Sequence, residues 1–132
     1  MTGSMQISGV HHIAIIASDY EASKAFYLNI LGFTLEAEYY RAERRSWMGK
    51  LALNGSYIVE LFTFPQTPPR RSGPEALGLR HLAFEVSDVR AARAELLAQG
   101  IACEALRVDP NTGKDMCFFR DPDGLPLELY GS

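Results

Sequence analysis

The sequence predicts an α+β fold with two tandem βαβββ modules, and three observations support that prediction. First, VHHIAIIASDYEASKAFYLNILGF at 10–33 matches LRHLAFEVSDVRAARAELLAQG at 79–100 in its order of histidine, apolar run, Ser-Asp and glycine. Second, each copy changes to helical spacing after its Ser-Asp pair. Third, each copy continues into strand-like runs, the last of which contain VELF and LELY. A repeat of this length indicates a duplicated structural unit.

The first strand and the helix of each module follow from local pattern. The apolar run after each histidine predicts a largely buried strand. Asp19 and Asp88 precede the helical patterns, where a carboxylate can cap the free N–H groups of the first turn. Gly32 and Gly100 suit the helix C-termini, because glycine adopts the left-handed conformation without strain. The apolar residues at helical spacing are Phe26, Ile30 and Leu31 in the first copy and Val89, Leu96 and Leu97 in the second.

Three more strands are expected in each copy, at 33–41, 46–55, 56–64, 102–108, 114–121 and 125–130. Asn54-Gly55 and the run Asp121–Gly124 are turn signals between them. We therefore expect one domain over 1–132, with module one at about 9–64, a Pro- and Arg-rich linker at 65–78 and module two at about 79–131. The leading MTGS is left out of this prediction.

Composition excludes several classes of function. The chain is 47% hydrophobic, enough for one core, and its thirteen Lys and Arg against sixteen Asp and Glu give a net charge of −3. That balance favours neither a nucleic-acid surface nor a basic membrane patch. The longest uncharged apolar run, Val10–Ser18, is too short to span a bilayer. We expect a cytoplasmic protein in which Cys103 and Cys117 are reduced thiols.

Four residues at matched repeat positions are the candidate site. His12 and His81 stand at the first strands, and Glu60 and Glu128 stand in the last strands. If the modules pack about a pseudo-twofold axis, two imidazoles and two carboxylates gather around one point. A divalent cation would supply the charge that carboxylates in apolar strands otherwise lack. Such a ligand set suits one divalent metal per site, Zn, Ni, Co, Mn or Fe(II).

Simpler interpretations exist for single residues. A lone histidine beside an apolar run is usually structural, and a lone strand glutamate is usually at a solvated edge. His11 is adjacent to His12, so we expect its side chain on the opposite face of the sheet, in a structural role. Glu85 has no counterpart in module one and is interpreted as a surface charge. The Asp121–Gly124 run has too few oxygen ligands for a cation loop and is interpreted as a β-turn.

The segments HHIAIIASDYEASKAFYLNILGF, VELF, RHLAFEVSD and DPDGLPLELY resemble the vicinal oxygen chelate superfamily, which includes glyoxalase I, over roughly residues 9–130. The chain is most similar to short bacterial glyoxalase-I-like proteins. The resemblance implies the glyoxalase/bleomycin resistance/dihydroxybiphenyl dioxygenase fold, a cup-shaped mixed sheet. It implies the metal ligands His12, Glu60, His81 and Glu128. It also implies a homodimer, and the site lies either within one chain or across the dimer interface.

The same resemblance implies a lyase or isomerase of the lactoylglutathione lyase kind, active in methylglyoxal detoxification. Its substrate would be a hemithioacetal or a related α-hydroxycarbonyl, and the reaction would pass through an enediolate. Glu128 would act as the catalytic base, and Glu60 would return the proton to the adjacent carbon. The alternatives are a non-catalytic protein that binds a small molecule or antibiotic, and an Fe(II) extradiol-type dioxygenase. The complete set of four ligands favours the isomerase.

The substrate is less well defined than the metal ligands. Where glyoxalase I has polar anchors for glutathione, this chain has Ile16 and Phe64, so the thiol need not be glutathione. Cationic and aromatic side chains on or near the predicted strands are candidates for binding an anionic substrate. They are Arg44, Trp47, Lys50, Arg107 and Lys114.

Overall fold

The computed structural model describes residue 3 and residues 5–132, so most of the leading MTGS lies outside the described residues. Its eight strands form two four-stranded mixed sheets, which confirms the predicted α+β fold with tandem modules. Sheet one has the order β1-β4-β3-β2 and sheet two the order β5-β8-β7-β6. The strands of sheet one are β1 Ile13–Ala17, β2 Thr34–Arg41, β3 Ser46–Leu53 and β4 Ser56–Thr63. Those of sheet two are β5 Leu82–Val86, β6 Arg107–Val108, β7 Asp115–Arg120 and β8 Pro126–Gly131.

In each sheet the first strand is parallel to the last strand of its module. Ala14 is paired with Glu60 in sheet one, and Ala83 is paired with Glu128 in sheet two. A histidine stands two positions before each of these alanines, His12 in module one and His81 in module two. The parallel pairing therefore brings the histidine and the glutamate of one module beside each other.

The helices begin where the aspartates predict. α1 spans Tyr20–Ala25 and continues into a π-helical turn at Phe26–Ile30, and α2 spans Val89–Ala98. Asp19 accepts a hydrogen bond from Ala22 N at 3.1 Å, and Asp88 accepts one from Ala91 N at 3.0 Å. Gly32 and Gly100 have φ values of +82° and +81°, as expected of residues that end helices.

Three local expectations differ from the structure. The strand expected at 102–108 is paired as a strand only at Arg107–Val108. Before it, the chain makes only an isolated bridge between Cys103 and Phe119 and a hydrogen bond from Glu104 N to β7. Leu97 is 45% exposed, since it is turned about 100° around α2 from the buried Leu96. β1 is buried on one face only, and Ile16 on its other face is 54% exposed.

One hydrophobic core joins the two modules. Its fully buried members include Tyr27, Leu51 and Leu61 from module one and Phe119 and Leu127 from module two. At 25–30 cal/mol per Å² of buried apolar surface, each such side chain contributes about 1.5–3 kcal/mol.

A polar cluster fixes the modules to each other beside this core. Asp123 accepts hydrogen bonds from the backbone N and the hydroxyl of Ser18, and Tyr27 donates to Asp121 at 2.8 Å. Asp121 also accepts from the backbone N of Asp123 and of Leu125, which closes the predicted β-turn. We call Ser18, Tyr27, Asp121 and Asp123 the inter-module cluster. It sets the relative position of the two sheets within one chain.

The linker between the modules has neither helix nor strand over 65–78. Arg70 holds it in place, because its guanidinium donates to Ser72 Oγ and to the carbonyl oxygens of Leu79 and Arg80. Among the described residues, no helix is long and apolar enough to cross a membrane. Cys103 and Cys117 are both free thiols.

Candidate metal site

Module one places His12 directly against Glu60. His12 Nε2 lies 3.5 Å from Glu60 Oε1, and their side chains are 35% and 15% exposed. His12 stands one residue before β1, and Glu60 lies in the adjacent strand β4. We call His12 and Glu60 half-site one. Its imidazole is partly open to solvent, and its carboxylate is mostly enclosed by the sheet.

Module two repeats this arrangement with a more buried carboxylate. His81 Nε2 lies 3.1 Å from Glu128 Oε1, and their side chains are 27% and 8% exposed. His81 stands one residue before β5, and Glu128 lies in β8. We call His81 and Glu128 half-site two. The repeat seen in the sequence is therefore preserved in the contacts of the side chains.

One chain does not unite the two half-sites. Within residue 3 and residues 5–132, no three His, Cys, Asp or Glu side chains are grouped so that they could hold a metal ion. The single chain thus brings together two pairs of the four predicted ligands rather than all four. A site shared between two chains stays a prediction.

Each half-site nevertheless suits two ligands of one ion. Nitrogen and oxygen ligands lie about 2.0–2.2 Å from zinc, so two neighbouring ligands are separated by about 3–3.5 Å at ordinary coordination angles. The Nε2–Oε1 separations of 3.5 and 3.1 Å lie in that range. Borderline metal ions also favour this mixture of imidazole and carboxylate. The residues present therefore fit a divalent metal, with half of a full ligand set in each module.

Two further side chains surround half-site one. Tyr57 donates its hydroxyl hydrogen bond to Glu60 Oε2 at 2.5 Å, and its ring stacks on His12 at 5.2 Å. Burial, together with that contact to Glu60, raises the pKa of Tyr57 above its ordinary value, so the phenol stays protonated and remains a donor. His11 Nδ1 lies 2.8 Å from His12 Nδ1. Glu60 is thus held by a donor, and His12 is held at the nitrogen that faces away from the carboxylate.

The position of His11 corrects the sequence-based expectation. We expected its side chain on the opposite face of the sheet, but its ring contacts both His12 and Tyr57 edge-on. The alternation rule fails because β1 begins only at Ile13. Before that residue the chain is not bound to strand geometry.

Half-site two has different neighbours. Arg80 donates to His81 Nδ1 at 3.1 Å, because a guanidinium can only donate. A neutral imidazole in this contact would carry its proton on Nε2, the nitrogen that lies 3.1 Å from Glu128 Oε1. Phe118 packs edge-on against His81 at 5.2 Å. Glu128 thus contacts His81 but, unlike Glu60, accepts no tyrosine hydrogen bond among the described residues.

Two of the predicted substrate-binding residues lie on module one near half-site one. Lys50 is paired with Glu60 across β3 and β4, and its Nζ lies 5.6 Å from the centre of the Tyr57 ring. Arg44 lies in the turn after β2, with its guanidinium 5.0 Å from the Phe64 ring. Lys50 is thus beside the half-site, and Arg44 is farther along the same sheet.

The other three predicted substrate-binding residues are more scattered. Trp47 stacks on Tyr20 at 5.1 Å, on the side of the sheet that faces α1, so its position gives no support to a role in binding substrate. Arg107 lies over the ring of Phe118, one side chain away from His81. Lys114 is exposed in the turn before β7.

Sequence reasoning missed two residues of module one. Tyr57 was missed because the strand register shifts between Leu51 and Ala52, and this bulge has no clear sign in the sequence. Arg41 lies over the rings of Phe62 and Phe64, and its buried Nε has no hydrogen-bond partner among the described residues. An arginine at the end of an exposed strand carries no signal of such burial.

The comparison with known families decides the class of the protein. The sequence profile described as Glyoxalase/Bleomycin resistance protein/Dioxygenase superfamily matches residues 9–129. The chain belongs to this superfamily. The match covers both modules, and it includes all four residues of the half-sites.

Superfamily members of similar length are found in several bacteria. The chain is 64% identical to the Escherichia coli (strain K12) "Uncharacterized protein YaeR", with 92% of this chain and 94% of that protein covered. It is 57% identical to the Bacillus subtilis (strain 168) "Uncharacterized protein YwkD", with 96% and 98% covered. The solved structure of a glyoxalase family protein from Enterococcus faecalis is 50% identical, with a TM-score of 0.87 and coverage of 96% and 99%.

More distant superfamily structures differ in what they are described to do. The lactoylglutathione lyase from Agrobacterium tumefaciens has a TM-score of 0.69 at 22% identity, which shows a shared fold alone. TnmS3, described as an antibiotic binding protein from Streptomyces sp. CB03234, has a TM-score of 0.72 at 28% identity. Each alignment covers 97% of this chain. It covers 96% of the lyase chain and 98% of the TnmS3 chain. The fold by itself therefore does not decide between catalysis and binding.

Proposed function

We propose that this chain is a metal-dependent, glyoxalase-I-like lyase that acts on a hemithioacetal or a related α-hydroxycarbonyl. The observation that carries the proposal is the pair of matched half-sites. Each holds an imidazole nitrogen and a carboxylate oxygen at the separation expected for two ligands of one ion. The same pair is present in both halves although the residues beside it differ, as Tyr57 and Arg80 do.

Two copies of the chain are proposed to complete the site. The inter-module cluster fixes the sheets of one chain with their half-sites apart, so a second copy has to supply the missing ligands. In a twofold dimer, module one of each copy faces module two of the other, and this gives two identical four-ligand sites. The exposed Ile16 on the open face of β1 would then be covered by the partner. His12 and Glu60 would come from one chain, and His81 and Glu128 from the other.

Glu128 is the proposed base. A divalent ion bound by the four residues would supply positive charge to a carbonyl oxygen of the substrate and make the neighbouring C–H more acidic. A Glu128 carboxylate oxygen would then take the proton as the C–H bond breaks and the electron pair moves toward the carbonyl. Its Oε1 lies against His81, and Oε2 is the oxygen proposed for this task. The Glu128 side chain is 8% exposed, so little water reaches the carboxylate.

Glu60, in the other half-site, is proposed to transfer a proton to the substrate. It would take the proton of the substrate hydroxyl and give it to the adjacent carbon, while Glu128 would return its proton to the oxygen of the former carbonyl, so that both carboxylates are restored and the reaction is a net isomerisation. Tyr57 keeps Glu60 in a fixed orientation through the contact with Oε2. Lys50, paired with Glu60 in the sheet, would contribute positive charge on the same side of the substrate.

A non-catalytic binding protein is the second candidate function. It is favoured by a groove of about 780 Å³ between β1 and the linker, lined by Ala14, Ile16, Pro68, Leu77 and Leu79 among others. This volume lies in the range typical of small-molecule sites. A protein that only binds would need neither carboxylate of the half-sites.

The test combines turnover with metal analysis. Purified protein is stripped with a chelator, reloaded separately with Ni, Co, Zn, Mn or Fe(II), and assayed with methylglyoxal and a panel of thiols that includes glutathione. We expect turnover with at least one thiol, its loss on chelation, and its recovery with metal. Glu85→Gln is the matched control, because Glu85 lies exposed in β5, two positions after the residue paired with Glu128.

Three outcomes contradict the proposal. Full activity of Glu128→Gln with metal still bound would remove the assigned base. Tight binding of a small molecule by metal-free protein, without turnover, would support the binding protein. Oxygen consumption with a catechol in the Fe(II) form alone would indicate a dioxygenase.

A further inference from the structure

A small cavity beside half-site two has a charge opposite to that of the chain. It has a volume of about 150 Å³ and is lined by residues of the linker, of the segments before β5 and β6, and of β6, β7 and β8. Five of them are arginines and two are glutamates, whereas the whole chain has a net charge of −3. The arginines are Arg70, Arg71, Arg80, Arg107 and Arg120. We call this cavity the arginine pocket.

Three of these arginines are already engaged. Arg70 donates to the linker backbone and to Ser72. Arg80 pairs with Glu75 at 3.1 Å, and Arg107 pairs with Glu104. These contacts neutralise both glutamates of the pocket. They also hold the residues around the cavity in place. The guanidinium groups of the other two arginines, Arg71 and Arg120, remain to be considered.

Arg71 and Arg120 have no hydrogen-bond or ion-pair partner among the described residues, and both line the cavity. Arg71 comes from the linker and Arg120 from the end of β7, so two distant parts of the chain bring uncompensated charge to one place. A guanidinium presents a fork of N–H donors that matches the oxygens of a carboxylate or phosphate. An oxyanion would therefore be bound from two sides.

The pocket is close to the proposed reaction centre. Phe118 lines the pocket, and its ring contacts His81 at 5.2 Å. Arg80 lines the pocket and donates to His81 Nδ1. The cavity and half-site two thus share neighbouring side chains, Phe118 and Arg80.

We infer that the arginine pocket binds an oxyanion group of the substrate, a carboxylate or a phosphate, and that Arg71 and Arg120 determine this specificity. The inference rests on the proposed function for the identity of the reacting group, and it restricts the substrate to α-hydroxycarbonyls or hemithioacetals with a negative charge at the far end. Binding energy from that end orients the reacting carbon toward Glu128.

The first test measures anion binding without any reaction. Wild-type protein is titrated with inorganic phosphate and, separately, with malonate, and binding is followed by calorimetry. The ionic strength is kept constant with a chloride salt. We expect saturable binding of at least one of the two anions, which also tells phosphate from carboxylate. Arg71→Gln and Arg120→Gln should each weaken it about tenfold, because each removes one charge-assisted contact.

Matched variants separate recognition from bulk charge. Arg90→Gln removes an exposed arginine of α2 and should leave anion affinity unchanged. Arg71→Lys and Arg120→Lys keep the charge but lose the fork, and should fall between wild type and the glutamine variants. Equal affinity in wild type and the Arg71→Gln/Arg120→Gln double variant would overturn the inference. So would the absence of saturable binding of either anion to wild type.

A second test connects the pocket to turnover. Hemithioacetals formed from methylglyoxal with mercaptoacetate and with 2-mercaptoethanol differ in charge at the thiol end. We expect a lower KM for the anionic one in wild type, and loss of that preference in the double variant with little change in kcat for the neutral one. If no hemithioacetal is turned over, the proposed function fails while the anion titration still decides on the pocket. If turnover occurs without preference for charge, the pocket inference fails alone.

Discussion

The two half-sites contain the same residue types, one His and one Glu, but different neighbouring side chains hold these residues in position. In half-site one, Glu60 accepts a hydrogen bond from Tyr57 and His12 is held by His11. In half-site two, Glu128 lies against His81 without such a tyrosine among the described residues, and it is the more buried carboxylate. Duplication kept the residues that suit a metal and let their neighbours diverge.

This difference suggests a division of labour between the modules. A carboxylate held by a phenol stays in one orientation, which suits a permanent ligand. A buried carboxylate with one free oxygen suits proton transfer, because no competing donor has to leave first. Module one would anchor the metal, and module two would carry the base and, through the arginine pocket, the recognition of substrate.

The largest expected effect separates the two carboxylates. Glu128→Gln should lower kcat by about 10³-fold, and Glu60→Gln by about 10²-fold, since general acid–base groups contribute 10²–10⁴-fold. Steady-state kinetics with metal content measured on the same samples checks this. Equal losses in both variants at full metal occupancy would contradict the division of labour.

Stability without metal should differ between the two histidines. His81→Ala should lower the free energy of unfolding by about 1–3 kcal/mol, because it removes the imidazole that lies 3.1 Å from the buried Glu128 carboxylate. His12→Ala should lower it by less than about 1 kcal/mol, because Glu60 keeps its bond from Tyr57. Urea unfolding in the presence of a chelator measures both. A larger effect at His12 would show that the supports are assigned the wrong way round.

The support of half-site one can be tested alone. Tyr57→Phe should weaken metal binding about tenfold, at the low end for groups that orient metal ligands, and leave the fold intact. Tyr39→Phe is the control, because Tyr39 is exposed on β2. Competition with a metal indicator gives the affinities. Unchanged affinity in Tyr57→Phe would mean that its hydrogen bond does not position Glu60.

The smallest expected effect concerns Arg80. Its bond to His81 Nδ1 keeps the proton on Nε2, the nitrogen that a metal would need. Arg80→Gln should therefore tighten metal binding by about three- to tenfold, which corresponds to the loss of one competing hydrogen bond. The same indicator assay applies. Weaker binding in this variant would show that Arg80 supports the ligand instead of competing with it.

The sequence predicted the parts of the fold that depend on local rules. Asp19 and Asp88 cap helices, Gly32 and Gly100 end them, and the repeat predicts two modules. These features depend on single residues and their near neighbours. The length of β6 was missed, because the pairing of the segment before it with β7 depends on long-range contacts of Glu104 that no periodicity reveals.

The sequence predicted which histidine lies beside which glutamate. It did not predict that the two His–Glu pairs lie apart within one chain. Parallel pairing of first and last strands places each histidine beside its glutamate, and the repeat intervals carry that information. Which module faces which is decided by the inter-module cluster and by any partner chain, and neither leaves a pattern in one sequence. The arginine pocket was missed for the same reason, since Arg71 and Arg120 meet only in three dimensions.

Complementation between inactive variants is the most direct test of the half-sites. His12→Ala and His81→Ala chains are co-expressed with different tags, and the mixed dimers are isolated and assayed for metal content and turnover. In a twofold dimer with shared sites, one site of each mixed dimer is made of two intact half-sites, so about half of the wild-type activity and metal returns. The control pairs His12→Ala with Glu60→Gln, which damage the same half-site and should recover nothing. Recovery only in the first pair is the predicted result, and mixed dimers as inactive and metal-poor as their parents would contradict the account.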